Sequence, residues 1–174
     1  GARRDGLGDV FVNYRWEALT ESEDRPAFSP RLSLILPTNS IADSTVGWQV
    51  NLPISKQFGD AYVHANVGFT HTPTFETSAG DVSLFVPHVA GSVIFRVLPM
   101  FHAMVEQVVS WPDADAGEGS ATVYTFSPGF RTGWNSGDAQ TIFGFAVPLS
   151  FADGESNAGV FGYFSYELPF VKRP

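Results

Sequence analysis

The sequence predicts an all-β chain that forms an antiparallel, up-and-down transmembrane β-barrel. The first ground is alternation. Val46, Trp48, Val50, Leu52 and Ile54 interleave with Gly47, Gln49, Asn51, Pro53 and Ser55, and Ala61, Val63, Ala65, Val67 and Phe69 interleave with Tyr62, His64, Asn66, Gly68 and Thr70. A period of two means a strand with two chemically different faces. The second ground is length. Such segments reach about 10 residues, past the roughly 5–6 of an ordinary strand and within the roughly 9–11 that a tilted membrane strand needs. The third is the rhythm of the connections, short and long in alternation, as outer-membrane barrels show.

Nine strands are expected in order. The first, over 9–19, sets Val10, Val12, Tyr14, Trp16 and Ala18 against Phe11, Asn13, Arg15 and Glu17. The second, over 28–36, sets Phe28, Leu32, Leu34 and Leu36 against Ser29, Arg31 and Ser33. The third and fourth are the two alternating runs above. The fifth, over 84–98, is the least regular, with Val93, Phe95 and Val97 opposed to Ser92 and Arg96. In the sixth, over 101–111, Phe101, Ala103, Val105, Val109 and Trp111 oppose His102, Glu106 and Ser110, and Gln107 is a defect on the apolar side. The seventh, over 122–134, opposes Tyr124, Phe126, Phe130 and Trp134 to Thr125, Ser127, Gly129 and Arg131. The eighth, over 139–151, carries Phe143, Phe145, Val147 and Leu149 on its apolar side. The ninth, over 160–170, carries Val160, Phe164, Tyr166, Leu168 and Phe170 there, with Phe161, Tyr163, Ser165 and Glu167 opposite.

Short connections are expected at 57–60, 99–100 and 135–138, with 20–27 on the same rim, and longer loops at 38–45, 72–83, 112–121 and 152–159. With the short side periplasmic, the first and last strands both descend and the C-terminus is periplasmic. A single-chain bacterial barrel has an even strand number. The reading therefore expects an odd number of strands before Gly1, and an N-terminally truncated chain. Trp48, Phe69, Trp111, Tyr124 and Phe151 are expected near the outer rim, and Trp16, Phe101, Trp134 and Phe170 near the inner one, as two aromatic girdles.

Composition agrees with one domain: 174 residues, no linker, no Cys, 17 Gly and 14 % aromatics. The absence of Cys excludes disulfides and thiolate metal sites. No apolar run approaches the roughly 18 residues of a membrane helix. A mean hydropathy of +0.01 suits a barrel, in which one face alone meets lipid.

The polar face, expected to line the lumen, carries Arg15, Arg31, Arg96 and Arg131 with Glu17, Glu106 and Glu167, and also His64 and His102. These nine residues are the candidate pore lining. An isolated buried charge is costly, so the acids and bases are expected to form a lumenal ion-pair network, alongside any role in selecting polar or anionic solutes. The long loops hold Asp43, Glu76, Asp81, Asp113, Asp115, Glu118, Asp153 and Glu155 with no Lys or Arg. Such a rim argues against nucleic acid as a partner. It has no calcium-loop spacing, so no metal site is expected. His64, His88 and His102 lie on strands, but no G-x-S-x-G segment accompanies them, and neither a catalytic residue nor a cofactor is expected.

Several short motifs carry a family resemblance. Gly6-Leu7-Gly8-Asp9 with Tyr14-Arg15, Leu32-Ser33-Leu34-Ile35-Leu36-Pro37-Thr38, Ser55-Lys56-Gln57-Phe58-Gly59 and Asn66-Val67-Gly68-Phe69 resemble the MetA-pathway phenol-degradation transporter-like family. So do Phe126-Ser127-Pro128-Gly129-Phe130-Arg131 and Gly144-Phe145-Ala146-Val147-Pro148-Leu149. Asn39 departs from the Gly expected after Leu-Pro-Thr, and Asn tolerates the same left-handed turn. The resemblance implies an outer-membrane channel without catalytic residues.

The expected function is therefore a Gram-negative outer-membrane, porin-like barrel that transports small hydrophobic or aromatic solutes. Its partners would be outer-membrane lipid and the solute, which Arg15, Arg31, Arg96 and Arg131 would meet together with Tyr62, Phe161 or Tyr163. The alternatives are a closed structural or surface-binding barrel, a lipid-modifying barrel enzyme, and a soluble β-sandwich.

Overall fold

The computed structural model describes residues 8–38, 45–77, 80–112 and 121–168, with the backbone alone for 75–77. The described chain is all-β. Its strand segments are β1 (Val10–Arg15), β2 (Ala27–Phe28), β3 (Arg31–Leu36), β4 (Gly47–Phe58), β5 (Ala61–Thr77), β6 (Gly80–Leu98), β7 (Phe101–Ser110), β8 (Val123–Ser136), β9 (Ala139–Ala146), β10 (Leu149–Ala152), β11 (Glu155–Ala158) and β12 (Phe161–Glu167). All twelve belong to one antiparallel sheet, curled into a half-barrel, in the order β1-β3-β4-β5-β6-β7-β8-β10-β11, with β2 also on β4, β9 also on β8, and β12 on β9. A β-sandwich requires two sheets facing each other; these strands form one.

Twelve segments stand where nine strands are predicted, and proline accounts for the difference. Phe28 pairs with Ile54 and Arg31 with Asn51, so the register is kept across Ser29–Pro30, where Pro30 has no N–H to give the ladder. Likewise Ala146 pairs with Gly129 and Leu149 with Phe126, with Pro148 in the gap. Ala158 then pairs with Leu149 and Phe161 with Ala146, so the break at Pro148 is copied onto the next strand. β1 also continues beyond its last ladder pair, through Trp16 N–H to Pro30 C=O (3.0 Å) and a bridge between Leu19 and Phe28.

Closure is not observed within the described residues: β1 and the β11–β12 edge are the two sides of the sheet. The physical reason lies in direction. Val10 of β1 and Glu155 of β11 both start at the rim opposite the 58–61 turn, so the edges run the same way and cannot complete an antiparallel seam with each other.

Two loops predicted from their polar residues are strands instead. Residues 152–159 form a hairpin whose turn is Asp153-Gly154, with φ of 49° and 82°, the mirror-image turn that fits strand twist. Across 72–83, β5 and β6 keep pairing past an irregularity between Thr72 and Phe75 to Thr77 and Gly80. β7 stops opposite His88, so the β5–β6 hairpin projects beyond its neighbour. At the other rim, Gly59 and Gly137 take φ of 59° and 61° at the first turn position, which a side chain would resist. The 20–26 loop is held there by Lys56 Nζ, which donates to the Ser22 and Glu23 carbonyls and lies 3.7 Å from Glu21.

The two faces are sorted by register. One row crosses the sheet as Leu52, Val67, Val89, Val109, Tyr124 and Phe151, all apolar or aromatic. The next level, on the other face, runs Asn51, Gly68, His88 and Ser110. Curling crowds the polar face, where Ser33 and Asn51 are 0 % and 4 % exposed, while Val67 on the apolar face is 52 % exposed. The polar face is thus the concave one. The apolar face carries an aromatic cluster near each rim: Trp48 edge-on to Phe69 (5.0 Å) with Phe85 beyond, and Phe101 stacked on Phe130 (5.6 Å) with Phe145 beside it. Gln107, the polar defect of that face, accepts a hydrogen bond from the Tyr124 hydroxyl at 3.1 Å. Phe170 lies outside the described residues.

Candidate functional site

Neutral amides dominate the concave surface of β3–β6. Gln49 Oε1 accepts from Arg31 Nη2 (3.3 Å) and from Asn51 Nδ2 (2.7 Å), while Gln49 Nε2 donates to Thr70 Oγ1 (2.9 Å). Because Asn51 gives its amino group to Gln49, its Oδ1 is the acceptor for Asn66 Nδ2 (2.7 Å) and for His88 Nε2 (3.0 Å). The Asn51 oxygen can only accept, so a ring proton on His88 Nε2 would satisfy this contact. Nearer β1, Ser33 Oγ donates to Asn13 Oδ1 at 2.6 Å. The position beside this cluster is Gly68. A Cβ there would lie 2.3 Å from the Val50 carbonyl oxygen and 2.9 Å from His88 Nε2. Gly68→Ala is expected to cost about 1–3 kcal/mol as an overpacked site, read as a lower urea midpoint of the refolded protein in lipid.

The charged candidates divide into separate groups. Arg15 pairs directly opposite Arg31, and Glu17 is exposed past the end of β1. His64, opposite Ser92, shares a small hollow of about 140 Å³ with Asn66, Ser92 and Glu106. It lies within electrostatic reach of both Arg15 and Arg131, although their strands lie on opposite sides of β5, which is what a concave face brings about. Arg96 bonds to the Tyr62 hydroxyl, sits 5.6 Å over the Tyr62 ring and pairs with Asp60 at 3.7 Å.

Arg96, His102 and Arg131 face one another across β6, β7 and β8 in a single row. With Glu167 they line a hollow of about 440 Å³ near the short-turn rim. Arg131 also borders a second hollow, of about 480 Å³, whose walls are chiefly Met104, Val108, Pro148, Phe161 and Tyr163, with Glu106 and Ser127 among its polar residues.

The predicted ion-pair network does not form among the described residues. Their ion pairs are Lys56–Glu21 and Arg96–Asp60, both at the short-turn rim. The acids are out of step with the bases: Glu106 stands level with Ser92 and Ser127, whereas Arg131 stands level with His102 and Gly144. What crosses the wall instead is the amide network, whose members Gln49, Asn51, Asn66, Thr70 and His88 are absent from the sequence-derived site. Their signal was present in the parity itself, which puts each of them on the same face as the charged candidates.

No Ser–His hydrogen bond and no cluster of three metal-ligating side chains occurs among the described residues. The face offers acceptors, guanidinium groups and an apolar wall. Compared with known proteins, the chain matches no protein-family model, no characterised sequence and no solved structure. The family resemblance therefore rests on its short motifs alone.

Proposed function

We propose that this chain forms the wall of a bacterial outer-membrane β-barrel that passes small hydrophobic or aromatic solutes along its polar face. The observation that carries the reading is the inverted distribution of apolar side chains. Among the described residues the buried hydrophobic ones are Ile35 and Ala139, while Val12, Leu34, Leu52, Val67, Val93 and Phe164 are exposed on the apolar face. The accessible surface is 11981 Å² for 18.9 kDa. A compact water-soluble monomer of that mass exposes about 8,300 Å². Lipid is the solvent for which such a face is suited, and the aromatic clusters at its two ends match interfacial girdles.

Span length supports the same reading. Read through the proline breaks, the segments make nine spans, and β5 and β6, at 17 and 19 residues, exceed what a bilayer needs. The short-turn rim is then periplasmic and the projecting β5–β6 hairpin extracellular. Of the acidic rim, Asp81, Asp153 and Glu155 are described and exposed. Asp43, Asp113, Asp115 and Glu118 lie outside the described residues, as does the Glu76 side chain. The resemblance to the phenol-degradation transporter-like family points to the same solute class.

The test is ion conductance across planar bilayers, using protein refolded in detergent whose gel mobility shifts on heating. Discrete conductance steps are the expected result. A heat-modifiable species without conductance would favour a closed structural barrel, and a chain that stays soluble without detergent would remove the membrane reading.

A further inference from the structure

Arg131 is one of the guanidinium groups of the concave face, with Arg15 and Arg31, that have no ion pair among the described residues. It stands in a row with His102 and Arg96. Arg96 is neutralised by Asp60 at 3.7 Å, whereas Arg131 has no ion pair among the described residues. The two nearest carboxylates of this wall are displaced along the strands. Glu106 is level with Ser127, and Glu167 is level with Gln140, whose strand passes Arg131 at Gly144. Four residues of strand, about 13 Å of backbone rise, separate Arg131 from each level, and neither carboxylate forms an ion pair with it among the described residues.

Space is provided beside this guanidinium. Its inward neighbour is Gly144, and Tyr163 follows across the next strand. A Cβ on Gly144 would lie 3.6 Å from both the Arg131 and Tyr163 Cβ atoms, so glycine keeps the gap between them open. The gap belongs to the 480 Å³ hollow walled by Met104, Val108, Ala146, Pro148 and Phe161. That volume lies within the roughly 300–1,000 Å³ of small-molecule sites. The hollow thus has a cation at one end and apolar walls between that cation and Glu106.

We infer that this hollow binds a small monocarboxylate with a flat apolar body, its carboxylate on Arg131 and its body against Met104, Val108 and Phe161. A guanidinium meets a carboxylate through two parallel hydrogen bonds, which no neutral hydroxyl reproduces. The inference rests on reading the concave face as the solute path, and it narrows the solute from hydrophobic molecules at large to amphipathic anions.

The test is calorimetric titration of the full chain, refolded in detergent, with benzoate, benzyl alcohol and acetate. Benzoate is expected to bind at one saturable site, at least tenfold more tightly than either comparison compound. Arg131→Gln is expected to weaken benzoate at least tenfold, and Arg131→Lys to restore part of the loss. Met104→Trp, which fills the hollow, is expected to weaken benzoate and leave acetate unchanged. Equal binding of benzyl alcohol, or unchanged benzoate affinity in Arg131→Gln, overturns the inference. Should Arg131→Gln fail to refold, the ranking of the three probes on the natural chain and the Met104→Trp result still decide it. A conducting barrel indifferent to benzoate overturns this inference alone, and a benzoate-binding barrel that does not conduct overturns passage alone.

Discussion

Val67→Arg is expected to destabilise the protein in phospholipid vesicles by about 2–4 kcal/mol, the cost of an arginine on the lipid face of a barrel near the bilayer midplane. Val67 lies in the middle of β5, in register with Leu52 and Val89, and is 52 % exposed. Those facts alone leave the sign open. On a face bathed in water, a half-exposed valine replaced by arginine changes stability by no more than about 0.5 kcal/mol. On a face bathed in hydrocarbon the same change places a charge where it finds neither water nor a partner. Ser92→Arg is the matched comparison, because Ser92 is on the concave face directly opposite Glu106. It is expected to cost under about 1 kcal/mol, as a surface pair with that carboxylate. Urea titrations of both variants in vesicles, followed by tryptophan fluorescence, give the two numbers. Equal, small effects would show that the apolar face does not meet lipid.

How much of this was legible in the sequence depends on the kind of signal. The sorting of faces needed only parity, and the rows through Leu52 and Asn51 follow it. Proline breaks were not legible as breaks, because Pro148 interrupts a ladder whose register continues on both sides. The hairpin at Asp153-Gly154 carried a strong turn signal, yet Glu155, Ser156 and Asn157 masked it. Strands that project past the apolar belt have no reason to alternate, so polarity there does not mean a loop. For the candidate site, the charged residues stood out by type, while their pairing depended on register. Register decides that Arg15 meets Arg31, and that Arg131 meets His102 rather than an acid. The amide network escaped notice because Asn, Gln and Thr are unremarkable until two strands bring them within 3 Å of one another.

Asn51 is where that network is most vulnerable. It is 4 % exposed, and one side chain serves β4, β5 and β6: its amino group donates to Gln49, and its oxygen accepts from both Asn66 and His88. Asn51→Leu removes the shared acceptor and strands two donors. Each buried polar group left without a partner costs about 1–3 kcal/mol, so the expected loss is about 2–5 kcal/mol, offset in part by the apolar area that leucine covers. The cost arises from the partners left behind and not from the deleted bonds themselves, and this gives a sharper expectation. In the background of Asn66→Ala, one of the two stranded donors is already gone, so Asn51→Leu is expected to cost at least 1 kcal/mol less than it does alone, a coupling typical of side chains in one hydrogen-bonded network. A double-mutant cycle on urea midpoints in vesicles measures that coupling. Additive losses would mean that Asn66 and His88 find other partners when Asn51 is absent, and that the wall is held by its strand ladder without help from the amides. A positive coupling would place the mechanical centre of the concave face on β4–β6, two strands away from β8, which carries Arg131. The two regions then divide the labour: the amides keep the wall in one shape, and the unpaired guanidinium on β8 is left for the solute.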